Sequence, residues 1–175
     1  MLACPNNAPE KPSVINLTKP LAVLALACTC TMAGAQKPAA DQIIQFASSD
    51  AAMNAAIHQA RQTLPGFLAL AANPPAGTGE YKVKVAIEDK GATEHFWIIP
   101  FQATATGFRG TLSNTPRTVG NVQLGQVIEF DRSRISDWGY VRDGKQVGSY
   151  TVCVMFARMP KSDADAIRRD HGFTC

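Results

Sequence analysis

From Tyr81 the chain alternates apolar and polar positions. Tyr81, Val83, Val85 and Ile87 interleave with Lys82, Lys84 and Ala86, the period of two that a strand with one buried face requires. Asp89-Lys90-Gly91 supplies a turn, and Thr93 to Phe101 reads as the next strand. Its unbroken run Phe96, Trp97, Ile98, Ile99 predicts burial on both faces. Phe108, Gly110 and Leu112 mark a third strand, ended by Ser113-Asn114-Thr115-Pro116. A connection through Leu124-Gly125-Gln126 leads to a fourth at Val127 to Phe130. Ile135-Ser136-Asp137-Trp138 has the residue types of a tight turn. Tyr140-Val141 and the segment from Val147 flank Asp143-Gly144, a two-residue hairpin signal. The last strand is then long, with Tyr150, Val152, Val154 and Phe156 on one face.

Before the alternating region the period is helical. Ser48, Ser49 and Asp50 offer an N-cap, and Met53, Ala56, Ile57, Ala60 and Leu64 fall on one narrow, Ala-rich face suited to close packing on a sheet. Pro65-Gly66 is a stop signal; Phe67 to Ala72 adds a separate helical turn before the loop Asn73 to Gly79. Ile43 to Phe46 has the composition of a short opening strand. Beyond Pro160, Ser162 and Asp165 form a loose capping pattern, Arg168 and Arg169 suit a helix C-terminus, and Gly172 ends it. The predicted fold is α+β: one N-terminal helix packed on a curled antiparallel sheet or small open barrel of about five to six strands, with a short C-terminal helix.

The first 35 residues change this picture. Lys11 and Lys19 precede the apolar run Leu21 to Ala27, and Ala33-Gly34-Ala35 is a signal-peptidase pattern. The predicted organisation is a signal peptide over 1–35, a linker over 36–42 and a single domain over 43–175, with a periplasmic or secreted destination. The run is too short for the roughly 20 residues of a membrane span, so no transmembrane segment is expected in the mature chain. The alternative is a lipoprotein box, Ala25-Leu26-Ala27-Cys28, with the chain anchored through Cys28. Cleavage after Ala35 removes three of the five cysteines and leaves Cys153 and Cys175. An even count in an oxidising compartment points to a disulfide; the other reading is a buried thiol and an unrelated terminal cysteine. The mature charge would be about +2, since Lys11, Lys19 and Glu10 leave a chain of formal charge +3. With basic residues scattered and aromatics at 7%, nothing marks a nucleic-acid partner.

Candidate chemistry is sparse. Thr93-Glu94-His95-Phe96-Trp97 sets a carboxylate beside an imidazole, but neighbours on a strand point to opposite faces. His95 could act as a general base only if a carboxylate from elsewhere, Asp137 or Asp131, fixed its tautomer; otherwise it is a strand-end histidine bonded to backbone. Asp137 and Ser136 would shape a turn, while Trp138 and Tyr140 would either cap the core or form an exposed aromatic platform. His58, His95 and His171 lie on separate elements without metal-ligand spacing, and no metal or cofactor is expected. No phosphate loop or nucleophile elbow occurs.

In order along the chain, Met53-Asn54-Ala55-Ala56-Ile57 with Ala60-Arg61, Thr93 to Trp97, Leu124-Gly125-Gln126, Ile135 to Trp138 and Gly148-Ser149-Tyr150-Thr151 resemble the YegJ-like bacterial domains of unknown function. The likeness spans about Ile43 to Pro160. It implies a small bacterial domain, often exported, and carries over no catalytic residue. The leading reading is a non-catalytic binding or interaction module contacting an envelope protein or small ligand through Trp97, Trp138, Tyr140 and Phe108. The alternative is a small hydrolase-like enzyme using His95 with Asp137 or Glu94. A structural envelope protein is a third reading.

Overall fold

The computed structural model describes residues 50–175; the signal peptide, linker and Ile43 to Phe46 strand predicted from the sequence lie outside them. The elements run α1 (Ala51–Ala72), β1 (Thr78–Asp89), β2 (Ala92–Ala103), β3 (Phe108–Leu112), β4 (Val127–Phe130), a 3-10 turn (Arg132–Arg134), β5 (Ile135–Arg142), β6 (Lys145–Gly148), α2 (Tyr150–Phe156) and α3 (Lys161–His171). All six strands form one open antiparallel sheet in the order β4-β3-β2-β1-β5-β6. The fold is α+β and the sheet does not close into a barrel.

One face of the sheet carries Val83, Val85, Phe96, Ile98, Leu112, Ile135 and Trp138, and this face meets α1. Asp50 caps the helix by accepting from the Met53 amide at 2.9 Å. Its buried stripe is Ala56, Ala60, Leu64 and Phe67. The small side chains bring the backbone close enough for Trp138 Nε1 to donate to the Ala60 carbonyl at 2.9 Å. Contrary to the expected stop, the helix runs through Pro65 without a break to Ala72. A proline inside a helix costs about 3 kcal/mol. Leu64 and Phe67, each 2% exposed, flank it, and Phe67 stacks on Trp138 at 4.7 Å. Burying such side chains stabilises by about 1.5–3 kcal/mol each, which offsets the proline.

The connection between β3 and β4 folds back over the β1–β2 hairpin. Glu94 accepts from the backbone amides of Arg117, Thr118 and Val119, Asp89 accepts from Gly120, and Val119 enters the core. In β2, Phe96 and Ile98 are fully buried whereas Trp97 and Ile99 are only partly so. The apolar run is therefore buried on one face, not both. The β5–β6 hairpin turns at Asp143 and Gly144, both at positive φ.

Two further segments depart from the sequence reading. Ile135 to Trp138 is not a turn but the opening of β5, wholly buried beside β1. Tyr150 to Phe156 is not the end of a long strand but the helix α2. Its β-branched residues favour a strand locally, yet Ser149 takes a left-handed conformation at φ 56°, and the Asp137 carboxylate accepts from the amides of Tyr150 and Thr151. That capping starts a helix where propensity alone would continue the sheet. α3 follows Pro160 and ends at Gly172 at positive φ, as its sequence signals indicated, although Ser162 lies inside the helix and no side chain caps it.

Candidate functional site around Trp97 and Lys84

The second face of the sheet is built differently. A bulge in the β1–β5 register, where Lys84 pairs with Asp137 and Val85 with Ile135, leaves Ser136 as the extra residue. It turns both Ser136 and Asp137 onto the face carrying Lys82, Lys84, His95 and Trp97. α1 lies on the opposite side, and among the described residues the first turn of α2 reaches a corner of this face through Thr151.

Asp137 is completely buried. Its Oδ1 accepts from the Trp138 amide at 2.8 Å and the Tyr150 amide at 3.2 Å. Its Oδ2 accepts from the Thr151 amide at 2.8 Å and the Thr151 hydroxyl at 2.6 Å. Lys84, 9% exposed, donates to the same Thr151 Oγ1 at 2.8 Å. Lysine, threonine and aspartate thus form a relay in which the hydroxyl accepts from the cation and donates to the anion. Burial pushes the Asp137 carboxyl up, against the Lys84 charge and the bonds from Thr151 and Trp138. Burial also lowers the Lys84 ammonium, with Asp137 opposing. Lys82 is likewise lowered by burial, against the charges of Glu80 and Asp137, and donates to Gln146 Oε1 at 3.0 Å. Above both lysines lies the Trp97 ring, its centroid 4.9 Å from Lys84 Nζ and 5.6 Å from Lys82 Nζ. Ser149 Oγ is buried without a partner.

His95 stands at the margin of this face. Its Nδ1 is 2.8 Å from Ser136 Oγ, and that hydroxyl donates to the Lys84 carbonyl at 3.2 Å. The network therefore assigns the proton to Nδ1, which donates to Ser136. Burial lowers the imidazole pKa, and the charges of Lys84 and Arg61 lower it further. The three proposed carboxylates lie elsewhere: Glu94 points to the other face and binds backbone amides, Asp137 is committed to Trp138, Tyr150 and Thr151, and Asp131 lines a recess with Phe108 and Glu129. Two surface recesses, of about 260 Å3 by Phe108, Glu129 and Asp131 and about 400 Å3 by Arg61 and Arg132, are not lined by His95.

The aromatic candidates separate. Trp138 and Tyr140 are 6% and 3% exposed; they pack under α1 against Phe67 and Tyr81 and form no exposed platform. Phe108 is half-buried between Phe101 and Phe130. Trp97 is half-buried on the face away from α1. Sequence reasoning missed Lys84, Thr151 and Ser149, for an alternating strand assigns its lysines to solvent. Cys153 and Cys175 form a disulfide with Cα atoms 5.5 Å apart. Among the described residues no group of three or more His, Cys, Asp or Glu side chains is placed to hold a metal ion, and no helix is long and apolar enough to cross a membrane.

Comparison with known proteins fits this architecture to a bacterial family. The chain is 35% identical over 128 residues to the uncharacterized protein YegJ of Escherichia coli (strain K12), covering 73% of this chain and 82% of that one. It is 30% identical over 76 residues to a putative ankyrin repeat protein, NMB1133/NMB1171, of Neisseria meningitidis serogroup B (strain ATCC BAA-335 / MC58), covering 43% of this chain and 30% of that protein. No solved structure matches. The family profile spans residues 50–174 and so includes α3 and nearly all of the C-terminal tail, beyond the segment recognised by sequence motifs. The chain belongs to the DUF2314 family, described as an uncharacterized protein conserved in bacteria.

Proposed function

We propose that this chain is a non-catalytic binding domain of the bacterial envelope, and that its contact surface is the sheet face away from α1, centred on Trp97. The observation that carries this reading is the half-buried Trp97 ring laid across Lys82 and Lys84 on the side of the sheet away from α1. The indole supplies apolar area and the partly buried Lys82 beside it a positive charge, while Lys84 beneath is held by Thr151, a combination that suits a protein partner. The polar groups an enzyme would need are held in internal bonds: Asp137 by Thr151, Tyr150 and Trp138, Ser136 by His95 and Lys84. The disulfide supports an oxidising compartment, and export through residues 1–35 is part of the same reading.

Photo-crosslinking from position 97 tests it. A benzophenone side chain placed there in cells should yield a discrete adduct with an envelope protein. The same probe at His58, exposed on α1, should not. Absence of an adduct from position 97, or identical adducts from both positions, rejects the surface. An alkaline phosphatase fusion after Cys175 tests export: an inactive fusion rejects it.

A further inference from the structure

We propose that β4 pairs antiparallel with β4 of a second copy of this chain, joining two sheets across a two-fold axis. The two flanks of the sheet differ. Beyond β5 the flank is closed: Ser149 donates its amide to the Trp138 carbonyl where β6 stops, Gln146 of β6 donates to the Gly172 carbonyl, and the tail bearing Gly172 is tied down by the Cys153–Cys175 bridge. On the other flank, among the described residues, β4 is the last strand. Among the described residues, the large hydrophobics left exposed are Leu124, at 57%, and Val127, at 49%, and both lie at this edge. Exposed edge strands are normally blunted by shortness, by charges (lysine above all), by proline or by a bulge; β4 is short and carries one charge, Glu129. Val127-Ile128-Glu129-Phe130 contains no lysine or proline, and its register with β3 is unbroken.

The pairing register is constrained by the chain itself. Leu112 N donates to Gln126 O, so by the alternation of an antiparallel ladder Gln126 and Ile128 bond inward to β3 while Val127 and Glu129 turn their backbone groups outward. Outward residues of one copy must meet outward residues of the other. A two-fold centre at Glu129 would oppose two carboxylates. A centre at Val127 would set Glu129 against Gly125, which has left the strand with φ 80°. A centre at Ile128 sets each Glu129 beside Val127 of the copy, with Arg109 as its partner on the β3 side. That register also brings the two Ile128 side chains together. A two-fold axis normal to the sheet places both α1 helices on one side and both Trp97 faces on the other. The dimer would then offer two contact surfaces in one plane.

Four residues per copy make a small interface, so dissociation should occur at laboratory concentrations. In sedimentation equilibrium of the full chain, the apparent mass should rise from one chain toward two between about 10 μM and about 1 mM. Val127→Glu faces Glu129 of the copy and should weaken dimerisation roughly tenfold, whereas Val127→Lys faces the same carboxylate and should strengthen it several-fold. The site is exposed, and unchanged melting curves will confirm that both variants fold. A chain monomeric throughout this range overturns the proposal. So does a dimer that both substitutions weaken alike, or one that neither alters.

Discussion

The most constrained side chain is Asp137, because its carboxylate joins three elements. It sits on β5, receives the amides that open α2, and meets the cation of β1 through Thr151. Replacing it with Asn puts an amide where Oδ2 now accepts two donors and leaves Lys84 buried without its counter-charge. Breaking one partner of such a buried arrangement typically costs several kcal/mol. Asp137→Asn should therefore lower the stability to urea by about 3 kcal/mol. A loss below 1 kcal/mol would mean that the relay carries little of the fold. His95 supplies a pH dependence of definite sign. Burial, with Lys84 and Arg61, holds its pKa below the ordinary 6.5, so protonation is harder in the folded chain than in the unfolded one. The stability tied to neutral His95 is present above pH 6.5 and is lost as the pH falls through the depressed folded value. His95→Asn keeps a donor near Ser136 and removes the titration. Unfolding midpoints followed downward from pH 8 should fall more steeply for the native chain than for the variant, and parallel curves would sink the assignment.

At the scale of elements, Gly148 is the joint between β6 and α2. Its φ of 79° suits glycine, and a Cβ there would lie 2.4 Å from the Trp138 carbonyl oxygen. Gly148→Ala should lose about 2 kcal/mol or more and disturb near-ultraviolet circular dichroism through Trp138. A variant as stable as the parent would show that the joint is looser than described. This joint also marks where the sequence stops being legible. The β1 alternation, the turn into β2, the Asp143-Gly144 hairpin, the Asp50 cap and the Gly172 stop are local signals, and each appears in the structure as read. α2 is fixed by a carboxylate 13 residues upstream of Tyr150, which no window over Tyr150 to Phe156 contains. Pro65 misled for the same reason, because the burial of Phe67 that carries α1 past it is tertiary. Of the site, Trp97 and His95 were visible from their shared face. Lys84 was not, since a lysine on an alternating strand is a solvent residue unless a bulge and a remote threonine enclose it.

For the whole molecule the sheet's two edges pose opposite problems, and the disulfide answers one of them. The bridge closes a 22-residue separation, for which loop-closure entropy gives about 3 kcal/mol. It also holds the tail whose Gly172 carbonyl takes the Gln146 amide of β6, while Phe173 packs edge-on against Phe156. Cutting it should act twice, once on the entropy of the unfolded chain and once on the cover over the β6 edge. We expect Cys153→Ser with Cys175→Ser to lose about 3 kcal/mol in urea. Amide exchange should rise at Gln146 while Val83 and Val85, in the sheet centre, keep their relative order of protection. The two effects separate by experiment, since added reductant reproduces both in the native chain and changes neither in the double variant. A double variant as stable as the oxidised protein, with Gln146 still protected, would show that α3 and Phe173 hold the tail unaided. In that case the bridge contributes to neither the fold nor the closed edge.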